Sequence, residues 1–406
     1  MYNDVTEAAS RGLFHVSSDK LIFEDISEYI LKPKPFKDLP SIGDDMMLAD
    51  LLGLKKQTVY WLANPYIQRN ATPSGRPSKR KGFYRVSKKV KKYHQPLDGG
   101  PKEAVYRYFQ IPLGELRYTQ DRILSKILNK IEFPDYIVGF IKGKSALDAA
   151  KKHCNKKIVL SIDLKDYFRS ITEKHITKAI IEELNYPPKV ARLISDICTF
   201  RYWLPQGAPT SPVLANLVGY NCYDRKVKAL ADEYNFVYTR YADDLTFSTD
   251  EEYPIDTYEK ALVPNEKGEK VEVFIPRSKI DEFYTKLRDI LNKERFKINE
   301  KKTKTYRASN RKYVLGVVVN TVPNILKHKY NVLKAIVHNL KYNSIKHEAS
   351  KTGRTEEQFL SWLKGNINYL KQVNPPKGSK LMDEFLDVLI AHGKGDHNIE
   401  EINFVD

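Results

Sequence analysis

Cysteine is scarce in this chain of 406 residues: three in all, Cys154, Cys198 and Cys222, far apart and odd in number. That excludes a disulfide framework and a clustered zinc site. No apolar run approaches the length that spans a bilayer, and the opening MYNDVTEAAS lacks the apolar core of a signal peptide. The expectation is a cytoplasmic protein with no membrane attachment. No internal repeat is present. GFIKGKS (Gly139–Ser145) is no phosphate-cradling loop, because three residues separate its glycines where four are needed. Acid is missing altogether between Arg76 and Leu97, a stretch that holds nine Lys and Arg.

What is present points to a polyanion. The formal net charge is +17, and a protein this basic ordinarily meets nucleic acid before a membrane surface. Hydrophobic residues make up 41% and aromatics 11%, so the chain is globular, and its length calls for two or three structural units. A basic run is most often a solvated face. In this one Phe83, Tyr84 and Tyr93 are interleaved with Lys88, Lys89, Lys91 and Lys92, a mixture that suits a strand or loop lying along a phosphate backbone.

Along the chain, LADLLGLKKQTVYWLANP (Leu48–Pro65) predicts two short helices around Gly53. Such a helix-turn-helix fits a DNA reader and, more commonly, a plain packing unit. GELRYTQDRILSKILNKI (Gly114–Ile131) has helical spacing, KKIVLSIDL is a buried strand ending in a carboxylate, and LPQGAPTSPVLANL is a tight turn opening a long helix. FVYTRYADDLTFST predicts strand, turn, strand. The polar stretch Glu251–Arg277 reads as an insertion, followed by a helix near Ser278–Glu294 and strands around FKINEKKT and YVLGVVVN. After Pro323 the pattern is helical almost to the end. Mixed strands and helices followed by helices alone give an α+β unit and then a helical one.

TRYADDLTFS (Thr239–Ser248) sets Asp243 and Asp244 side by side inside a strand pattern. Two such charges repel and resist burial unless something positive holds them. A solvated hairpin tip is the bland explanation. Phosphoryl transfer by two metal ions is the chemical one, since it needs carboxylates at rigid positions, and Asp163 at the end of IVLSID offers a third.

YADD in an apolar hairpin resembles the catalytic motif of reverse transcriptases. SIDLKDYF, LPQGAPTSPVLANL, FKINEKKT, VLGVVVN and YRYFQIPLGELRYTQDRIL match further motifs of that family in its order, over roughly Val105 to Leu370. LPQGAPTSPVLANL, RYADDLTFS and FLSWLKGNINYLKQVNPP resemble the bacterial retron group in particular. Two positions depart from the retron pattern. Ala149 stands for Asn in the Asn-Ala-x-x-His motif at Ala149–His153, and Leu315 for Thr in the Val-Thr-Gly motif at Val314–Gly316. They leave room for another defence-associated reverse transcriptase; a group II intron enzyme would need room for maturase and nuclease parts.

The resemblance implies a right-hand polymerase. An N-terminal helical extension (1–75) precedes fingers (76–155), a palm of antiparallel sheet and helices (156–322, with the insertion 251–277), and a helical thumb and tail (323–406). Asp163, Asp243 and Asp244, with the backbone carbonyl of Leu164, would hold two Mg²⁺ ions. Lys302 would protonate departing pyrophosphate. Lys102, Arg107, Asp166, Tyr167, Phe168 and Gln206 would meet the nucleotide, with Phe168 as the gate against a ribose 2′-hydroxyl. His153 and Val314–Gly316 would join the basic run on nucleic acid. The implied activity is RNA-directed DNA synthesis on a bound structured non-coding RNA, primed from a 2′-hydroxyl of that RNA, using deoxynucleoside triphosphates and yielding a branched RNA–DNA hybrid. The implied setting is antiphage defence with a separate effector protein. The rivals are a defence reverse transcriptase with protein priming or no template, an idle RNA-binding scaffold, and a DNA-binding regulator built on Leu48–Pro65.

Overall fold

The computed structural model describes residues 36, 38–64, 83–94, 103–253, 255–264 and 270–393. Helix α1 (Asp45–Leu52) starts where the Asp44 side chain accepts the Met47 N–H and stops at Gly53, whose φ of 59° is the left-handed cap glycine takes most easily. Helix α2 (Lys56–Ala63) follows, so the helical pair expected around Gly53 is present. The basic stretch forms β1 (Tyr84–His94), paired antiparallel with β2 (Glu103–Pro112). Next come α3 (Gly114–Lys126), α4 (Ala146–Lys152), β3 (Ile158–Asp163) and the short α5 (Tyr167–Ser170). Helices α6 (Glu173–Leu184), α7 (Pro188–Cys198) and α8 (Ser211–Gly219) lead through a π turn at Tyr220–Asp224 into α9 (Arg225–Glu233).

The hairpin expected from FVYTRYADDLTFST is β4 (Val237–Tyr241) and β5 (Asp244–Thr249). The stretch read as an insertion carries a second hairpin, β6 (Ile255–Pro264) with β7 (Lys270–Ser278). Helix α10 (Lys279–Lys293) follows. The strand expected around FKINEKKT begins only past it, as β8 (Lys304–Tyr306). The preceding residues are loop, with Ile298 bridged to Leu164. YVLGVVVN makes the small hairpin β9 (Tyr313–Val314) and β10 (Val317–Val318). The helical end comprises α11 (Lys327–Asn339), α12 (Ile345–Ser350), α13 (Glu356–Val373) and α14 (Pro375–Ala391). Among the described residues no helix is long and apolar enough to cross a membrane.

The described residues gather into two compact units. One takes those up to Ile141 with Leu164–Leu230 and Asp281–Asn299. Helix α7 is its centre, lying against α1, α2, α3 and α6. Val190, Ile194 and Ile197 repeat at helical spacing and are buried without residue of exposure. Cys198 and Cys222 are buried in this unit, which pushes both thiols up to about 12 and keeps them unreactive at neutral pH.

The other unit takes Lys142–Asp163, Ala231–Ile280 and the chain from Glu300 on. It contains a four-stranded antiparallel sheet in the order β4-β5-β3-β8. Both faces are covered. On one, Tyr238 stacks on Phe247 at 5.0 Å, with Phe236 against Phe247 and Tyr253. A second core joins Ala150, Val159, Val314 and Val317 to Phe359, Leu363 and Phe385 of the terminal helices.

Candidate active site

A near-continuous apolar run makes β3, β-branched and aromatic residues make β4 and β5, and their register decides where the acids fall. Asp163 is the direct partner of Asp244 across the β3–β5 ladder. Opposed side chains of an antiparallel pair stand on one face with Cα atoms about 4.5–5.5 Å apart. Tyr241 pairs with Asp244, so Ala242 and Asp243 form a two-residue turn, and Ala242 adopts a left-handed φ of 56°. That conformation is costly for a residue with a side chain, and such strain concentrates at functional sites.

Three carboxylates in so small a space need positive charge. The Lys302 ammonium donates to Asp163 Oδ1 at 2.5 Å, and this bond raises its pKa above the ordinary lysine value. Burial, then the like charges of Asp243 and Asp163, pushes the Asp244 carboxyl up to about 6, against the pull of Lys302. The donor set is hard oxygen throughout, chemistry that suits a hard divalent cation. Among the described residues no three His, Cys, Asp or Glu side chains close around one point as ligands; at Asp163 the balancing cation is Lys302.

His153 corrects its expected place on RNA. It is fully buried, with Nδ1 2.7 Å from Ser248 Oγ and Nε2 2.7 Å from Thr239 Oγ1. Burial, then the nearby Lys152 and Lys156, pushes its pKa down to about 3. The ring is neutral and serves the sheet. Val314 is buried too and Leu315 packs, partly buried, against the same core; in that turn, where both residues have positive φ, Gly316 is the exposed one.

The other candidates belong to the first unit. Leu164 is buried and bridged to Ile298. Asp166 is exposed in a left-handed conformation before α5. The Tyr167 ring is buried and its hydroxyl donates to the Ala215 carbonyl at 3.0 Å, so its side chain belongs to the core, away from solvent-borne nucleotide. Phe168 is half-buried, edge-on to Phe140 at 6.2 Å. Gln206 lies in the turn before Gly207, and Gln110 of β2 grips its backbone twice. The Gln110 N–H donates to the Gln206 carbonyl at 2.7 Å, and the Gln206 N–H donates to Gln110 Oε1 at 3.1 Å. Sequence reading passed over Gln110, and no local signal marks it.

On the β1–β2 ribbon Arg107 stands directly across from Lys89, and both are exposed. Opposed like charges destabilise a strand pair unless an anion lies between them. Lys88 and Lys91 are exposed as well, with the Lys88 ammonium 4.5 Å from the centre of the exposed Tyr106 ring. Lys92 continues the strand. Lys102 and the run Arg76–Lys81 lie outside the described residues.

Residues 101–319 match the family described as reverse transcriptase (RNA-dependent DNA polymerase). The chain is 28% identical to the Retron Mx65 reverse transcriptase of Myxococcus xanthus over 68% of its own length and 60% of that protein's. The Retron Mx162 reverse transcriptase of the same organism is 28% identical over 68% of this chain and 57% of its own. The Retron Ec86 reverse transcriptase of Escherichia coli is 30% identical over 59% of this chain and 67% of its own. The chain thus spans under two thirds of the length of its Myxococcus relatives.

Proposed function

Because this chain belongs to the reverse transcriptase family and to its retron type, we propose that it is an RNA-directed DNA polymerase that copies a bound, structured non-coding RNA. The observation that carries the proposal is the pairing of Asp163 with Asp244 at the Asp243 turn, with Lys302 against Asp163. Divalent cations, two Mg²⁺ in this reading, would supply activation of the attacking hydroxyl and stabilisation of the departing oxygen. The chain's own part is to present hard carboxylate oxygens from a rigid sheet and to keep a protonated ammonium beside them. Primer extension with Mg²⁺ tests this. Asp243→Asn should abolish synthesis and leave RNA binding within about twofold, whereas near-normal extension by that variant refutes the assignment.

The exposed cations of the β1–β2 ribbon support contact with phosphate, and Phe168 is our candidate for selecting deoxynucleoside triphosphates. The product in this reading is DNA joined to its RNA through a 2′–5′ linkage and used, with a separate effector protein, in antiphage defence. The changed positions Ala149 and Leu315 favour one competing reading, a defence reverse transcriptase primed differently. Treating the product from the native host with a debranching enzyme separates the two. Release of DNA from RNA supports the retron reading; DNA attached to protein, or DNA never branched to RNA, rejects it while sparing the polymerase.

A further inference from the structure

We propose that His153 is a positioning residue for the Asp243–Asp244 turn: seated after α4, its imidazole bridges the strand that enters the turn and the strand that leaves it, and so fixes their register. The inference rests on the polymerase reading, since it assigns the residue an effect on rate.

The turn's own residue types do little to set its register, although the buried Arg240 guanidinium donates to the Ala242 carbonyl at 3.5 Å. Two-residue hairpin loops ordinarily depend on Gly, Asn or Asp where φ is positive. Here that position is Ala242, and the loop is Ala-Asp. Register must come from elsewhere, because a slip of one residue would turn every side chain of β5 to the opposite face, Asp244 included.

The imidazole is placed to prevent such a slip. Asp244, Thr246 and Ser248 alternate along one face of β5, and Thr239 of β4 pairs with Thr246. Ser248 lies four residues from Asp244, about 13 Å along the strand. Thr239 and Ser248 are therefore diagonal neighbours on the face that carries the carboxylate, and His153 spans that diagonal with both ring nitrogens. A neutral imidazole, one nitrogen donating and one accepting, satisfies two hydroxyls that would otherwise be buried unpaired. Both bonds require the observed register.

The mount is also fixed. Helix α4 opens with a capping box, in which Asp148 Oδ2 accepts from the Ser145 N–H at 2.8 Å and from its hydroxyl at 2.7 Å. Just beyond His153 the Asn155 N–H donates to the Val319 carbonyl at 3.1 Å. Ala149 and Ala150 are fully buried, small enough to let the helix lie close to its neighbours. The helix is thus capped locally at its start and tied just past its end to the chain after β10, and its final ring is a fixed point for the two strands.

The test is primer extension by the full chain on an RNA template, with kcat and KM for the deoxynucleotide measured per folded molecule beside Tm. His153→Ala should lower kcat about 10- to 100-fold, the scale of small misplacements at reacting atoms, with KM changed by no more than about threefold. His153→Asn, which can place an amide near Nδ1, and His153→Gln, which can place one near Nε2, should each recover part of the rate. If the alanine variant does not fold, a triple variant decides: His153→Leu, Thr239→Val, Ser248→Ala, which removes all the polar groups together. It should recover Tm without recovering kcat. Wild-type kcat in a folded His153→Ala or triple variant overturns the inference while leaving the polymerase intact. An inert wild-type chain that is folded and binds RNA refutes the polymerase reading, and this inference with it.

Discussion

Lys302 sets a protonated ammonium against a cluster of three acids, and what that proton does is a matter for one side chain. As a proton donor to the departing pyrophosphate it should matter by roughly 10²-fold or more. Lys302→Ala should therefore slow single-turnover extension by about that factor, with the alkaline limb of the pH–rate profile displaced; a loss under about threefold would leave it only an ion-pair partner. Phe168 touches Phe140 and Tyr167 at ring distances of 6.2 and 5.8 Å. Phe168→Ala opens space, and the efficiency ratio of ribonucleotide to deoxynucleotide should rise about tenfold or more. An unchanged ratio in an active variant returns the ring to packing. His153 makes a prediction about stability. Its pKa is about 3 when folded and 6.5 in the free group, so the unfolded chain takes up the proton first as pH falls. The stability it contributes is complete above about pH 6.5 and is lost progressively toward pH 3. Urea unfolding should show the difference between wild type and His153→Gln shrinking from pH 7 to pH 4.

At the scale of elements, α13 and α14 are joined through Asn374, whose side chain accepts the Lys377 N–H at 3.2 Å. The two helices lie close together at Gly378, where an added Cβ would lie 2.2 Å from Lys371 Cα and 2.3 Å from its nitrogen. Gly378→Ala must push the helices apart and should cost about 1–3 kcal/mol in unfolding experiments. Gly316 offers the contrast: its φ is 84° and an added Cβ meets nothing within 4 Å. Gly316→Ala should cost only about 1–2 kcal/mol, through backbone conformation. A fall in RNA affinity beyond that loss of stability would mark the turn as a contact.

Elements with strong local period were legible in the sequence: the YADD hairpin, β3, α3, α10 and the terminal helices all stand where alternation or helical spacing put them. The strand sought around FKINEKKT was displaced because the alternation of Phe296 and Ile298 with Lys297 and Asn299 stops at Glu300, and pairing with β3 begins only at Lys304. The true setting of His153 was illegible for another reason. Its partners lie 86 and 95 residues away, and no spacing announces a buried ring between two hydroxyls. Gln110 and Gln206, 96 apart, are the same case.

For the molecule as a whole, charge is the property that no single residue owns. A net +17 together with an exposed ribbon of Lys88, Lys89, Lys91 and Arg107 implies that binding releases many counterions. Affinity for structured RNA should fall by about 10³-fold or more between roughly 50 and 200 mM salt, and a nearly flat dependence in a filter-binding titration would deny an extended phosphate interface. The sheet order β4-β5-β3-β8 has a consequence in time as well as space. On the ribosome β3 is made first of the four and lacks both neighbours as it emerges. The β5 partner follows about 80 residues later and β8 about 140, which at roughly 5–20 residues per second leaves one edge open for on the order of ten seconds. An apolar strand such as IVLSID with unpaired edges is a ready template for another chain. The nascent protein therefore passes through an interval in which a chaperone holding β3 would decide its yield.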